Sequence, residues 1–399
     1  MDFQLSDEQL AIQEMARRFA SDELAPNAAR WDAEKHFPVD VIEKTGGLGL
    51  AGIYADEGIG GSGLSRLDAV LVFEALSAGD TTTAAYISIH NMVTWMVGAF
   101  GSDDVKNRYG EALTTARMLG SYCLTEPGSG SDAAALKTRA VREGDDYVLD
   151  GAKAFISGAG ATDLYLVMVR TGEPGPRGIT AVLVEDGTLG LSFGANERKM
   201  GWNAQPTRVV TFEDCRVSVR NRLGEEGEGF KFAMMGLDGG RLNIAACSLG
   251  TADAAIRQAL DYTNERSAFG KRLNENQAMQ FKLADMKTEL EAARSLLYRA
   301  AWSLDAKTPD ASQLCAMAKR YVTDACTKIV DDALQTHGGY GYLADYPLER
   351  MLRDVRVHQI LEGANEVMRM IVARGMLAEY QVGRTPSAGE ARGAISAAG

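Results

Sequence analysis

Residues 121–132 read Ser-Tyr-Cys-Leu-Thr-Glu-Pro-Gly-Ser-Gly-Ser-Asp, a short apolar run that breaks into a polar, glycine-rich loop. Tyr122–Thr125 has the composition of a strand edge that ends in a hydroxyl. Gly128 and Gly130 let the backbone approach a ligand without a Cβ, while the serines and loop N–H groups can donate to phosphate or carbonyl oxygens. The same composition suits an ordinary surface turn. The stretch therefore predicts either a turn or one wall of a ligand site.

A β-rich region extends from this stretch to about Gly229. Asp150-Gly151 supplies the positive φ of a two-residue hairpin turn, so a hairpin is expected between Tyr147–Leu149 and Ala152–Ser157. No long helix interrupts the region, which favours an antiparallel sheet or barrel over a parallel βαβ unit. Its further short β-rich runs are Leu164–Val169, Ile179–Val184 and Val209–Phe212.

Helical patterns flank the β-rich region on both sides. Ser6 and Gln9 form a capping box, and apolar residues then recur at helical spacing as far as Pro26. Two more N-terminal helical stretches are predicted, at Leu67–Leu76 and Asn91–Phe100. Beyond Gly229, long segments rich in Ala, Leu, Met, Lys and Glu predict a four-helix bundle: Phe230–Glu265, Glu275–Ala306, Ala311–Gln335 and Pro347–Tyr380.

These patterns predict an α+β chain with three domains. We expect an N-terminal all-α domain over residues 1–120, a middle antiparallel β-domain over 121–229, and a C-terminal four-helix bundle over 230–380. Residues 381–399 are rich in Gly, Ala, Ser and Arg without periodicity, which is typical of a disordered tail.

Composition excludes several classes of function. The chain has 399 residues and a net charge of −12 at pH 7, which argues against nucleic acid or an anionic membrane as its main partner. Its five cysteines are widely spaced and include no Cys-x-x-Cys pair, so neither a disulfide framework nor a zinc site is indicated. No apolar run reaches the roughly 18–20 residues of a membrane span. Without a recognisable leader, we expect a cytoplasmic protein, or the mature form of an organellar (mitochondrial matrix) one.

Two familiar motifs lack their context. Gly58–Gly63 has the glycine spacing of a dinucleotide-binding loop, but it lies between helices with no parallel sheet, so a structural loop is expected. His36, His90, His337 and His358 are far apart and without metal-binding spacing, so no metal site is expected.

Glu362 is a candidate general base. It follows two aliphatic residues and precedes Gly363-Ala364, so its carboxylate is expected at a helix break among apolar neighbours. Desolvation there would raise its pKa toward working pH, and the small neighbours would leave room for substrate. Taken alone, the pattern favours a residue that caps a helix or pairs with Arg356 or Arg369 over a catalytic base.

Together, the motifs resemble those of the acyl-CoA dehydrogenase family from about Leu5 to Tyr380. The resemblance implies a helical domain, a β-domain that faces a flavin and a four-helix bundle. It also implies noncovalent FAD and assembly as a dimer of dimers. The motifs that carry it are Tyr122–Asp132, Phe155–Ser157, Arg266 with Phe269-Gly270, Gln335 with Gly338-Gly339, and Glu362-Gly363.

The resemblance also implies roles for individual residues. The isoalloxazine ring would lie against Tyr122, Cys123, Leu124 and Thr125 and against Phe155, Ile156 and Ser157. Other flavin or pyrophosphate contacts, several of them from a neighbouring subunit, would come from Gly130, Ser131, Arg266, Phe269, Asn276, Gln277, Gln335, Thr336, His337, Gly338, Gly339, Ala364, Asn365 and Glu366. Substrate contacts would come from Ser131, Asp238, Gly239, Gly240, Arg241 and Arg374.

The implied reaction is an α,β-dehydrogenation. Glu362 would abstract the α-proton of an acyl-CoA thioester, and electrons would pass to electron-transferring flavoprotein. The stretches Ala85–Asn91, Lys153–Gly160, Gly201–Arg208 and Leu334–Leu343 resemble members that act on short branched chains. We therefore expect isobutyryl-CoA, an intermediate of valine breakdown, to be converted to methacrylyl-CoA. Butyryl-CoA and 2-methylbutyryl-CoA are alternatives.

The chain departs from the pattern of some family members at two positions, and two other functions are possible for this fold. One branch of the family carries its base beside the arginine that Arg241 matches; here that neighbour is Gly240, which cannot act as a base. Ala268 replaces a polar residue found in many relatives and puts one flavin contact in doubt. An acyl-CoA oxidase is usually a longer chain. A non-catalytic flavin-binding protein of the same fold would lack the base or carry a basic extension.

Overall fold

The computed structural model of the protein describes residues 4–384. The N-terminal part is helical, and both its capping box and its first helix are confirmed: Ser6 accepts from the Gln9 N–H while the Gln9 side chain accepts from the Ser6 N–H. The prediction for Asn91–Phe100 began too late, because the helix starts at Thr81, where Asp80 caps the N–H of Thr83. The N-terminal helices are α1 Asp7–Phe19, α2 Ala28–Glu34, α3 Val39–Lys44, α4 Arg66–Ser77, α5 Thr81–Phe100 and α6 Asp103–Thr114.

The middle part is a single twisted sheet. Its strands are β1 Gly120–Cys123, β2 Arg139–Glu143, β3 Asp146–Ser157, β4 Leu164–Arg170, β5 Ile179–Glu185, β6 Leu191–Phe193, β7 Thr207–Ser218 and β8 Arg222–Leu223. The order is β6-β7-β3-β2-β4-β5-β8, with β1 beside β4. Most pairs are antiparallel as predicted, but β1 runs parallel to β4, with Gly120 opposite Leu164. Parallel pairing brings the carboxyl end of β1, where the glycine-rich loop begins, into the body of the sheet.

The predicted hairpin at Asp150-Gly151 is wrong. Both residues lie inside β3, where the register with β7 shifts between Leu149 and Gly151, so the Asp-Gly pair forms a bulge. The turn lies earlier, at Gly144, whose φ is +65°, and it joins β2 to β3. A positive-φ glycine serves a bulge as well as a turn. Pairing with β7 on both sides of Gly151 keeps β3 continuous through this residue.

The C-terminal part contains long helices as predicted, but the last segment is not continuous. The helices are α7 Gly229–Glu265, α8 Gln277–Asp305, α9 Ala311–Thr336, α10 Leu348–Arg356 and α11 Asn365–Arg384, with the short strands β9 Ser267–Ala268 and β10 Lys271–Arg272 after α7. The segment predicted as Pro347–Tyr380 is broken between Arg356 and Asn365. Of the predicted tail, 381–384 belong to α11 and 385–399 lie outside the described residues. Within residues 4–384, no helix is long and apolar enough to cross a bilayer.

The N-terminal helices and the C-terminal bundle share one hydrophobic core, in which α4 and α5 pack on α7. The sheet has a separate interior and a second apolar layer against α5, α6 and α7. Buried charged residues of α10 hold this helix in place just before the break that separates it from α11. Arg350 of α10 pairs with Asp80 at 3.0 Å, and the carboxylate of Asp354 accepts from the Trp202 N–H at 2.6 Å. These contacts tie α10 to both the helical domain and the sheet, and thereby hold the segment that leads to Glu362.

Candidate active site

The break between α10 and α11 presents Glu362. The chain leaves α10 through a tight turn at Val357–Gln359, and Glu362 and Gly363 then take positive φ angles of 53° and 91°. A non-glycine residue in this region is strained by roughly 1 kcal/mol or more. Burial raises the pKa of the Glu362 carboxyl to about 7, against the lowering effect of Arg241 and Lys319. The expectation of a desolvated carboxyl at a helix break is confirmed.

The two arginines weighed as ion-pair partners of Glu362 are engaged elsewhere. Arg356 donates to Gln359, and Arg369 lies near Asp324 and Glu366. Neither holds the carboxylate, so the capping or ion-pairing alternative loses its named partners.

Helix α7 passes directly beneath the carboxyl. A Cβ added to Gly240 would lie 2.6 Å from Oε2 of Glu362 and 3.0 Å from its Cδ. The next residue, Arg241, is buried and pairs with Asp238 at 2.5 Å. The second oxygen of Asp238 accepts from Ser312. The glycine thus makes room for the base, while the adjacent ion pair orients a cation toward it.

The ends of β1 and β3 meet next to each other. The Ala154 N–H donates to the Thr125 carbonyl at 2.8 Å, and the Ser121 hydroxyl donates to the Ser157 carbonyl at 2.7 Å. Phe155 lies between these contacts with a φ of 60°, and its side chain is 69% exposed. An aromatic side chain near the end of a strand that is strained and yet exposed offers an open stacking surface. Cys123 and Ile156, in contrast, are buried in the sheet.

A buried ion pair supports the glycine-rich loop. The amine of Lys153 donates to Glu126 at 2.8 Å, and Glu126 also accepts from the backbone N–H groups of Lys137 and Thr138. Gly128 and Gly130 carry no backbone strain, and a Cβ at either would meet nothing within 4 Å. The loop therefore offers an open side, bordered by Ser131, to a molecule outside this chain.

Three polar atoms at this site lack partners. The Tyr122 hydroxyl, Nε of Arg241 and Oε2 of Glu362 are buried without a hydrogen bond to any residue in 4–384. The Glu362 carboxylate raises the pKa of Tyr122 beyond the effect of burial, so the two groups face one another. Buried polar groups are normally satisfied, and three orphans in one place fit a site that a polar ligand completes.

A second set of predicted cofactor residues lies at the far end of α7. Arg266 stands over the Tyr340 ring at 5.8 Å, and Tyr262 stacks on His337 at 4.1 Å, so the ends of α7 and α9 meet there. From Gly240 to Glu265 the helix rises roughly 38 Å. The predicted contacts at this end therefore lie away from Glu362 of the same chain: Arg266, Phe269, Asn276, Gln277, Gln335, Thr336, His337, Gly338 and Gly339.

The residues of this second set differ in how exposed they are to a ligand or a second chain. Arg266, Gln277, Gln335, Gly338 and Gly339 are exposed, and Phe269 is fully so, at a φ of 53°. Thr336 and His337 are buried, and the His337 ring bonds to the Ala333 carbonyl. Two of the predicted contacts therefore face the interior of their own chain.

The remaining predicted residues lie on α11. Ala364 is half-buried, whereas Glu366 and Arg374 are exposed. Asn365 is buried, and its side chain bonds to Lys319, Thr323 and Asp324. Only the backbone of Asn365 can contact a cofactor.

Three family models match successive parts of the chain: the acyl-CoA dehydrogenase N-terminal domain at residues 6–117, the middle domain at 121–215 and the C-terminal domain at 227–377. A mitochondrial isobutyryl-CoA dehydrogenase of Bos taurus is 55% identical over 375 residues, which cover 94% of this chain and 90% of the relative. The chain belongs to the acyl-CoA dehydrogenase family.

Solved structures agree with the family assignment. Butyryl-CoA dehydrogenase from Megasphaera elsdenii superposes with a TM-score of 0.91 at 39% identity, covering 94% of this chain and 100% of that one. A structure described as PigA with FAD and proline also gives a TM-score of 0.91, at 31% identity, covering 94% of this chain and 99% of that one.

Sequence reasoning missed part of this acyl-CoA dehydrogenase site. The guanidinium of Arg66 lies 3.6 Å from the centre of the Tyr54 ring and 4.8 Å from that of Trp95, and it occupies the space that a Cβ at Gly239 would need. Asn243 donates to the Tyr54 hydroxyl at 3.1 Å. The available signal was the pair of adjacent glycines in the middle of a long helix, which intrinsic propensity disfavours.

Proposed function

We propose that the chain is an FAD-dependent acyl-CoA dehydrogenase that converts isobutyryl-CoA to methacrylyl-CoA. The single observation that carries the proposal is the buried carboxyl of Glu362, with a pKa of about 7, against Gly240 and near Tyr122 of β1. A general base works best when its pKa lies near the operating pH. The 55% identity to an isobutyryl-CoA dehydrogenase supports the choice of substrate.

The residues present suit FAD. Phe155 offers an exposed ring for the flat isoalloxazine, and the hydroxyls of Thr125 and Ser157 lie at the ends of the adjacent strands. Gly128 and Gly130 leave the loop open to close approach. A neighbour of this fold, PigA, was solved with FAD. When bound, FAD accepts the hydride that leaves the β-carbon.

The far set of residues supports assembly. Arg266 and Gln335 lie near the end of α7, roughly 38 Å along the helix from Gly240, too far to reach the isoalloxazine end of the site in their own chain. Phe269 projects fully into solvent from the turn between β9 and β10. We infer that these residues serve the site of a second copy, so that the working unit is at least a dimer, most simply within a dimer of dimers.

The proton transfer falls to Glu362. Its ionised carboxylate takes the α-proton of the thioester, and the room above Gly240 allows it to approach the α-carbon. The Glu362 N–H donates to no backbone carbonyl in residues 4–384, so it can donate to the thioester carbonyl. Donors of this kind typically contribute a few kcal/mol to the barrier. Arg241 keeps part of the population ionised by lowering the pKa of Glu362 against the effect of burial.

The substrate and the acceptor are tested together. Purified holoenzyme mixed with isobutyryl-CoA in the absence of oxygen is expected to lose the absorbance band of oxidised flavin. Butyryl-CoA and 2-methylbutyryl-CoA serve as competitors in the same assay. Faster bleaching by butyryl-CoA would replace our substrate with that of the Megasphaera elsdenii relative. Reoxidation by electron-transferring flavoprotein rather than by oxygen separates a dehydrogenase from an oxidase.

The base is tested by Glu362→Gln. The amide is nearly isosteric and cannot accept the proton, so flavin reduction is expected to slow by about 10²–10⁴-fold while FAD stays bound. Retention of the flavin spectrum and of the melting temperature provides the control. Reduction at the parental rate would show that another group is the base.

The partners and the compartment follow from this activity. We propose an acyl-CoA substrate, electron-transferring flavoprotein as electron acceptor and other copies of the chain as assembly partners. The bacterial cytoplasm or the mitochondrial matrix would supply the first two.

A further inference from the structure

Lys319 of α9 is completely buried beneath the loop that carries Glu362. Its amine donates to the Gly363 carbonyl at 2.7 Å and to Oδ1 of Asn365 at 2.9 Å. Both acceptors lie within three residues of Glu362, on the carboxyl side of the left-handed turn. The lysine therefore fixes the turn from below, where the backbone leaves the base and enters α11.

The bonds of Lys319 belong to a larger network. The Asn365 amide donates to Asp324 at 2.8 Å and to the Thr323 hydroxyl at 3.0 Å, both on α9. The start of α11 is thereby attached to one face of α9. Because Gly363 has a φ of 91° and Glu362 one of 53°, the turn needs such support to persist.

Charge reinforces the geometry. Burial lowers the pKa of Lys319 to about 8, while Glu362 is the largest opposing influence and raises it. Lys319 in turn lowers the pKa of Glu362 and that of the buried His358. A lysine without negative neighbours would be costly to bury, so the charged amine and the carboxylate favour one another.

Other titratable groups also face this pair. Arg241 approaches Glu362 from α7, and Tyr54 and Tyr122 approach it from the loop before α4 and from β1. Asp324 and Glu366 act on Lys319 from α9 and α11. Of the cations, Arg241 is already paired with Asp238, whereas Lys319 is bonded to neutral acceptors. Arg241 nevertheless lowers the pKa of Glu362 more than Lys319 does, and what distinguishes Lys319 is that it also bonds to the turn that carries the base.

We propose that Lys319 is the positioning residue of the base: its two hydrogen bonds hold the Glu362–Asn365 turn in place, and its positive charge, together with that of Arg241, favours the ionised carboxylate. This inference rests on the proposed function of Glu362. It predicts that removing the charge changes the ionisation of Glu362 whether or not the substrate assignment is right.

The test measures the ionisation of Glu362 without substrate. Infrared difference spectra of the holoenzyme over a pH series, with Glu362→Gln as the blank, isolate the stretch of the protonated Glu362 carboxyl. Lys319→Gln can still donate to a carbonyl but carries no charge. Loss of an opposite charge at close range raises a carboxyl pKa by about one unit or more. The acid limb of the pH profile of kcat/KM is expected to move by the same amount.

Three further variants separate the effect of the charge from effects of geometry and stability. Lys319→Arg keeps the charge but not the geometry, so the pKa of Glu362 should stay near the parental value while kcat falls. Lys319→Met removes the charge and leaves no polar group to bury, so it should raise the pKa of Glu362 even if Lys319→Gln does not fold. Val322→Ala shortens a buried side chain on the same helix, so it should lower the melting temperature and leave the pKa unchanged.

The outcomes are distinct. An upward shift in Lys319→Gln or Lys319→Met, absent from Val322→Ala, supports the proposal. A parental pKa for Glu362 in folded Lys319→Gln, or in Lys319→Met if Lys319→Gln does not fold, overturns it. Failure of isobutyryl-CoA to reduce the flavin would instead refute the proposed function, because the infrared titration does not depend on turnover.

Discussion

Replacing Gly240 with alanine should separate activity from stability. The added methyl would lie 2.6 Å from Oε2 of Glu362 and 3.0 Å from its Cδ. Ordinary carbon contacts require about 3.5 Å or more, so the carboxyl must retreat by roughly 0.5–1 Å. A displacement of about 1 Å at a reacting group can cost on the order of 10²-fold in rate. We therefore expect flavin reduction to slow by about two orders of magnitude.

The same change should not weaken the fold. Gly240 lies in the interior of α7, a helix of 37 residues, where alanine is favoured over glycine by up to about 1 kcal/mol. The clash is with the end of one side chain, which can move away at little cost. The Gly240→Ala protein is therefore expected to melt at the parental temperature or slightly above it, in contrast to most variants that damage an active site.

A control lies one turn earlier in α7. A Cβ at Gly236 would approach the flexible thioether of Met96 at 3.2 Å and no group of the site. Gly236→Ala should show the same gain in helix propensity without the loss of rate. The assay is stopped-flow reduction of the holoenzyme by isobutyryl-CoA, together with thermal melts of both variants. Parental reduction by Gly240→Ala would refute the position assigned to the base.

Three further predictions concern the carboxyl, the flavin and the assembly. Burial raises the pKa of Glu362 from 4.5 to about 7, so the folded state holds this proton more tightly than the unfolded state. The free energy of unfolding therefore falls by about 3 kcal/mol as the pH rises through this window. Glu362→Gln lacks this loss, so its melting temperature should gain on the parent's between about pH 5 and about pH 8; a constant difference in thermal melts would contradict the raised pKa. Phe155→Ala should weaken FAD binding by roughly 5-fold, since aromatic stacking contributes about 1 kcal/mol. It should leave the apoprotein's melting temperature unchanged because the ring is 69% exposed. Unchanged FAD affinity by fluorescence titration would exclude stacking. Phe269→Ala should leave the fold intact and shift sedimentation toward smaller species or lower FAD affinity, and no change in either would remove Phe269 from the interface.

Local patterns with a physical cause could be predicted from the sequence. The Ser6–Gln9 capping box and the change from helical to β-rich patterning near Ser121 depend on a few neighbouring residues, and both are present in the structure. Gly363-Ala364 after two aliphatic residues indicates the break at Glu362, whereas the helical composition of Pro347–Tyr380 predicts one continuous helix and misses it. The Asp150-Gly151 prediction failed because a positive φ serves a bulge and a turn alike, and only pairing with β7 distinguishes them.

Long-range partners could not be predicted in this way. Lys319 reads as an ordinary helical lysine, and nothing near it in the sequence shows that it meets Gly363, 44 residues later. Arg66 and Tyr54 likewise meet over Gly239 only after α4 packs on α7. Such residues are found from the sequence only indirectly, through unusual features such as two glycines inside a helix.

The unfavourable features of this fold converge on the proposed site. Phe155 and Glu362 are two of the eight non-glycine residues with positive φ within residues 4–384, and each was predicted to contact flavin or substrate. Gly239-Gly240 weakens α7 at the point where it faces the base. Burial of the Glu362 carboxyl lowers the free energy of unfolding by about 3 kcal/mol above pH 7. Packing alone does not account for several independent costs in one place. Strain of this kind persists where the surrounding structure enforces it, and at Glu362 the network around Lys319 does so.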